Sequence, residues 1–90
     1  MNLNEALREV REEFNDGAVV ITSGYDRTLD EVISETDDER EVWAEWGEIS
    51  YGGVTVPATH VFFLDEDGYM RRDGSGLSVV SARDYARLGR

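Results

Sequence analysis

A small α+β domain with a mostly antiparallel sheet is the fold class this sequence predicts, and three observations carry it. Apolar residues recur at three- and four-residue spacing over the first fifteen positions, the period of a helix. Around the pair Gly52-Gly53 they recur at every second position, the period of two strands joined by a tight turn. The elements then run helix, strand, helix, a three-stranded meander, and helix. With 90 residues and 40% hydrophobic content, residues 1–90 make one domain with a modest core.

Leu3, Leu7, Val10 and Phe14 form the apolar stripe of a helix over residues 3–15. Asn2 is placed to cap it, Glu5 completes a capping box, and Gly17 suits the left-handed position that ends it. Its outer face carries Glu5, Glu9, Glu12 and Glu13 with Arg8 and Arg11 between, a pattern that supports i,i+4 pairs such as Arg8 with Glu12. The β-branched run of residues 18–23 reads as a strand buried on both faces. Residues 24–27 read as a turn, and Thr28 opens a short helix with Leu29, Val32 and Ile33 inward. Asp37, Asp38 and Glu39 follow as an acidic loop or a new helix start.

Residues 40–47 fit two patterns. As a helix, Val42, Trp43, Trp46 and Ile49 share one face. As a strand, they extend the hairpin, and mirroring about Gly52-Gly53 opposes Tyr51 to Val54, Ile49 to Val56, Glu45 to His60 and Trp43 to Phe62. The strand is preferred because those pairings are favourable. Residues 54–64 make a long strand in which Pro57 marks an edge or a bulge. Residues 65–68 are a hairpin loop, 69–72 a returning strand, and 73–76 a glycine-rich loop. Ser81 caps a helix over residues 82–88, with Asp84 completing a capping box and Val80 and Tyr85 forming a hydrophobic staple.

Charge is the strongest compositional signal. The chain has no lysine, 20 carboxylates and nine arginines, for a net charge of −11. Residues 1–68 hold 18 acids against four arginines, a net of −14, whereas residues 69–90 hold five arginines against two acids, a net of +3. Such a field repels nucleic acid, anionic lipid and phosphorylated ligands and favours partners with basic surfaces. No apolar run reaches the roughly 20 residues of a membrane span. The first residues lack the basic and apolar regions of a signal peptide, so a cytoplasmic protein is expected. There is no cysteine for disulfides or thiolate sites.

No motif for catalysis or a cofactor stands out, and a non-enzymatic protein without cofactor or metal is expected. The sequence Asp65-Glu66-Asp67-Gly68 matches a fragment of a calcium loop, but Phe63 and Gly74 would occupy its first and last ligand positions. His60, the only histidine, lies on an apolar strand face and reads as a hydrogen-bonded structural residue. A triad of Ser75, His60 and Asp65 has no nucleophile elbow to support it. The glycines lack phosphate-cradle spacing. Trp43 and Trp46 are expected in the core of so small a domain. The alternative use, beside so many acids, is to meet an arginine-rich partner. Arg71, Arg72, Arg83, Arg87 and Arg90 are expected to pair with this chain's own carboxylates or another subunit.

Two accounts of the acidity compete. In size and charge the chain resembles phage-encoded DNA mimics, anti-restriction and anti-CRISPR proteins among them. That resemblance implies an inhibitor or modulator that occupies the basic groove of a nucleic-acid-handling protein. Glu9, Glu12, Glu13, Asp37, Asp38, Glu39, Glu41, Glu45 and Glu48 would then stand in for phosphates. Its acidic, lysine-free composition also resembles that of haloarchaeal proteins. In that account the carboxylates serve solvation in concentrated salt, and the chain is a small cytoplasmic protein or accessory subunit of another role. Mimicry predicts a concentrated field, and salt adaptation predicts acids on all faces.

Overall fold

The computed structural model describes residues 1–14, 17–22, 26–36, 39–64 and 76–90. Its elements in chain order are α1 (Leu3–Glu13), β1 (Val19–Ile21), β2 (Asp26–Thr28), α2 (Leu29–Glu35), β3 (Val42–Tyr51), β4 (Val54–Phe63), β5 (Gly76–Val80) and α3 (Ala82–Leu88). All five strands join one antiparallel sheet in the order β2-β1-β5-β4-β3. The domain is therefore α+β as expected, with the meander β3-β4-β5 paired to the N-terminal strand β1.

Local chemistry places the helix starts where the capping residues stand. The Asn2 side chain accepts from the Glu5 amide, Thr28 from Glu31, and Ser81 from Asp84. Each satisfies one amide left unpaired in a first helical turn. α1 stops at Glu13, and its cap Phe14 is already extended. Gly17 does take a positive φ of 77°, but it lies beyond the helix end and does not cap it. Arg8 and Glu12 form no ion pair; Arg11 instead reaches across to Asp30 on α2, at 2.9 Å.

The β3–β4 hairpin takes the register expected from its turn. Gly52 and Gly53 both have positive φ, 60° and 81°, as a two-residue turn of the mirror-image type I demands. Tyr51 opposes Val54, Ile49 opposes Val56, Glu45 opposes His60, and Trp43 opposes Phe62. Residues 42–47 are strand, so the helical alternative falls. Pro57 marks no bulge, because β4 pairs continuously with β3, but it does sit at a local edge: its other side is not paired with β5. Its missing N–H does no harm because the pairing of β4 with β5 begins only at Thr59.

Two expectations need correction. The segment read as a turn before Thr28 contains β2, whose residues Asp26, Arg27 and Thr28 pair with β1. The loop reading of residues 73–76 meets a strand at Gly76, where β5 begins. The strand expected at 69–72 and the loop at 65–68 lie outside the described residues.

The sheet is covered on both faces, and β1 is an inner strand paired between β2 and β5. α1 and α2 bury Leu3, Ala6, Leu7, Val10 and Leu29 against Val20, Val42, Val61 and Val79. On the other face, α3 closes Ile21, Val56, Ala58, Val80 and Leu88 into a second cluster, with the staple residue Tyr85 packed beside it. Each of these large side chains contributes about 1.5–3 kcal/mol by leaving water. Among the described residues, no helix is long and apolar enough to cross a membrane.

Candidate functional site

β3 is an edge strand, and α1 runs beside it. Val42 donates its amide to the Met1 carbonyl at 3.0 Å, and at the far end of α1 Phe14 meets Trp46 edge-to-face at 6.0 Å. Between them lies a cleft of about 150 Å³ lined by Met1, by Ala6, Glu9, Val10 and Glu13 of α1, and by Ala44, Glu45, Trp46 and Thr59 of the sheet. Neither tryptophan fills the core. Trp43 is 45% exposed and Trp46 61% exposed. Leucines and valines of α1, α2 and the inner strands supply the core. The edge position of β3 leaves both indoles only partly covered.

The charged residues are sorted by ion pairing. Arg11 pairs with Asp30, Arg27 with Glu31 and Glu35, Arg87 with Asp84, and Arg90 with Asp26. Arg87 and Arg90 therefore serve the chain's own carboxylates, as expected, Arg83 makes no ion pair among the described residues, and Arg71 and Arg72 lie outside them. Glu41 pairs with the Met1 ammonium at 2.7 Å, which raises the ammonium pKa above its usual value. Among the described residues, the carboxylates left without an ion pair are Glu5, Glu9, Glu12, Glu13, Glu39, Glu45 and Glu48. All of them lie on α1 or in residues 39–48.

The sequence-selected carboxylates thus fall into three groups. Glu9, Glu13 and Glu45 are brought together at the cleft beside Trp46. Glu12 opens toward a second depression with Arg11 and Asp30, on the α2 side of the helix. Glu39, Glu41 and Glu48 are exposed along and before β3, and Asp37 and Asp38 lie outside the described residues. Glu9 and Glu13 stand one helical turn apart with like charge, an arrangement that costs a few tenths of a kcal/mol without a counter-ion.

Thr59 is the residue that sequence reasoning missed. It lies on β4 opposite Trp46, is 5% exposed, and its hydroxyl has no hydrogen-bond partner. Leaving such a group unpaired costs about 1–3 kcal/mol. The signal was present in the alternation: Thr59 is a polar residue in the core-facing row that continues with Val61 and Phe63.

His60 is structural rather than catalytic in its contacts. Its Nε2 lies 3.2 Å from the Glu48 carbonyl and its Nδ1 2.8 Å from the Ser78 hydroxyl. A carbonyl only accepts, so Nε2 carries the proton, and in the neutral ring Nδ1 accepts from Ser78. The ring lies over Gly47, and no hydrogen bond joins it to Glu45. Ser75 and Asp65 lie outside the described residues. Among the described residues, no three acidic or histidine side chains gather as a metal site.

No protein-family model, curated protein or solved structure matches this chain. What the fold and site define is an antiparallel α+β domain whose described carboxylates without an ion pair lie on α1 and in residues 39–48.

Proposed function

We propose that the chain is a non-enzymatic interaction domain whose α1–β3 face binds the basic nucleic-acid groove of another protein, its carboxylates taking the place of phosphates. One observation carries this reading: every described carboxylate without an ion pair lies on α1 or in residues 39–48. An acidity kept only for solvation needs no such sorting, because hydrated carboxylates serve equally well on any face. A partner presenting arginines would supply counter-ions, and Trp46, exposed on the α1 side of β3, offers a flat surface for those side chains. Association with such a partner is expected to be fast and strongly salt-dependent.

Competition for labelled duplex DNA tests it. The chain is added to complexes of that DNA with a panel of nucleases, repressors and restriction enzymes, and anisotropy reports displacement. Neutralising Glu9, Glu13, Glu45 and Glu48 to Gln should weaken displacement about tenfold or more, the equivalent of 1.4 kcal/mol. The same change in net charge made by Asp30→Asn, Glu31→Gln, Glu35→Gln and Asp84→Asn should have little effect. Equal losses from both sets would reduce the face to net charge alone, and displacement from no member of the panel would remove the mimic reading.

A further inference from the structure

We propose that the cleft between α1 and β3 is a receptor for a guanidinium group, the head of an arginine side chain presented by the basic partner. This rests on the partner reading above and names what that partner inserts. The cleft measures about 150 Å³ and joins three chemistries in one place. Ala6, Val10 and Ala44 give apolar walls for a methylene stem. Glu9 and Glu13 supply two carboxylates, neither in an ion pair among the described residues, although the Met1 ammonium, in the same lining and held by Glu41, also feels Glu9 through space. Trp46, 61% exposed, offers an indole surface for a flat cation.

The second, independent observation is Thr59. Its hydroxyl is buried, unpartnered and part of the cleft lining. Valine has the same branched shape, and Val61 and Val79 occupy neighbouring places on this face of the sheet. A hydroxyl in that row therefore adds nothing to the packing, and it provides an acceptor where a ligand donor would arrive. The combination excludes anions, which the glutamates repel, and disfavours neutral apolar ligands, which would leave the carboxylates desolvated and unpaired. An ammonium would satisfy the charge. A guanidinium also stacks on an indole and carries five donors in a planar fork, so some can reach the glutamates while another reaches Thr59.

Titration of the isolated chain with ethylguanidinium chloride tests the site, with ethylammonium chloride and sodium chloride at equal ionic strength alongside. A Trp43→Phe background leaves Trp46 as the sole indole, and the Thr59 methyl resonance gives a second reporter. The expected result is a saturable change at both, with ethylguanidinium bound about fivefold or more tighter than ethylammonium. Thr59→Val should lower that affinity about tenfold or more, the scale of one lost hydrogen bond to a charged group, without lowering the melting temperature. Thr59→Ser, which keeps the hydroxyl, should retain the affinity. A linear response matching sodium chloride overturns the proposal, as does equal binding of the two cations or unchanged affinity in Thr59→Val. Guanidinium binding by a chain that displaces no DNA would sink the groove reading and leave the receptor. Displacement without guanidinium binding would do the reverse.

Discussion

The Asp26 carboxylate accepts three hydrogen bonds that tie the end of the chain to the edge of the sheet. Arg90 donates from Nε to Oδ2 at 2.9 Å and from Nη2 to Oδ1 at 2.8 Å, and the Tyr85 hydroxyl donates to Oδ2 at 2.9 Å. Arg90 also lies over the Tyr51 ring at 5.0 Å, so one side chain joins β2, α3 and the hairpin. The Arg90 fork holds the Asp26 carboxyl below its ordinary 3.8; burial opposes the shift, and Tyr85 adds to it. The hydrogen bond to Asp26 pushes the Tyr85 hydroxyl above its ordinary 10.0, with burial in the same direction. The signs follow from linkage. A lowered carboxyl contributes stability that is complete above about pH 4 and is lost as pH falls through the folded value. A raised phenol contributes stability that is complete below about pH 10 and is lost as pH rises through the folded value. Asp26→Asn should therefore cost about 1.5–3 kcal/mol at neutral pH, the range for hydrogen bonds to a charged group. Urea unfolding at a series of pH values should show that difference shrinking below about pH 4. A difference that stays constant down to pH 2 would mean that the lost contacts are not those of the charged carboxylate.

At the scale of the element, the β3–β4 hairpin is held by a glycine that makes room for a histidine. A methyl group at Gly47 would sit 2.6 Å from Cδ2 and 2.8 Å from Nε2 of His60, a ring fastened at both nitrogens. Gly47→Ala should cost about 1–3 kcal/mol as an overpacked contact, measured by denaturant midpoint with an unchanged slope. In a His60→Ala background the same substitution should be nearly neutral. Equal costs in both backgrounds would place the effect in the backbone instead. This hairpin was legible in the sequence to the residue, because a two-residue glycine turn fixes register and a one-residue slip would turn every side chain to the wrong face. The N-caps of α1 and α3 were legible for a similar reason: cap and partner amide lie within one turn. β2 was not legible, since Asp26, Arg27 and Thr28 carry no apolar alternation and become a strand only by pairing with β1. The exposure of Trp43 and Trp46 was equally hidden. Which strand lies at an edge is settled by the β1–β5 pairing, a contact between distant parts of the chain. The carboxylates were named from composition, but their division into paired and unpaired sets depends on where α2 and α3 pack.

Across the whole molecule, the two accounts of its acidity differ in what they ask of the charge arrangement. Arg11, Arg27, Arg87 and Arg90 pair with carboxylates of α2, β2 and α3, whereas of the carboxylates on α1 and in residues 39–48 only Glu41 has an ion pair, with the Met1 ammonium, among the described residues. At about 0.1 M salt the Debye length is near 10 Å, so these groups repel one another across the face; at 1 M it is near 3 Å and most of that repulsion is gone. If the charge is retained for a partner, its self-repulsion is a tolerated cost that a small core can bear. If it is retained for solvation in brine, the fold depends on salt. Thermal melting from about 0.1 M to several molar potassium chloride decides between them, comparing the native chain with the variant neutralised at Glu9, Glu13, Glu45 and Glu48. The account here predicts a chain already folded at 0.1 M. The variant should melt several degrees higher there, at about 4–8 °C per kcal/mol of relieved repulsion for a domain of this size, and the gap should close as salt rises. A native chain that is unfolded at 0.1 M, folds only in molar salt, and loses stability there when the four glutamates are neutralised would contradict it.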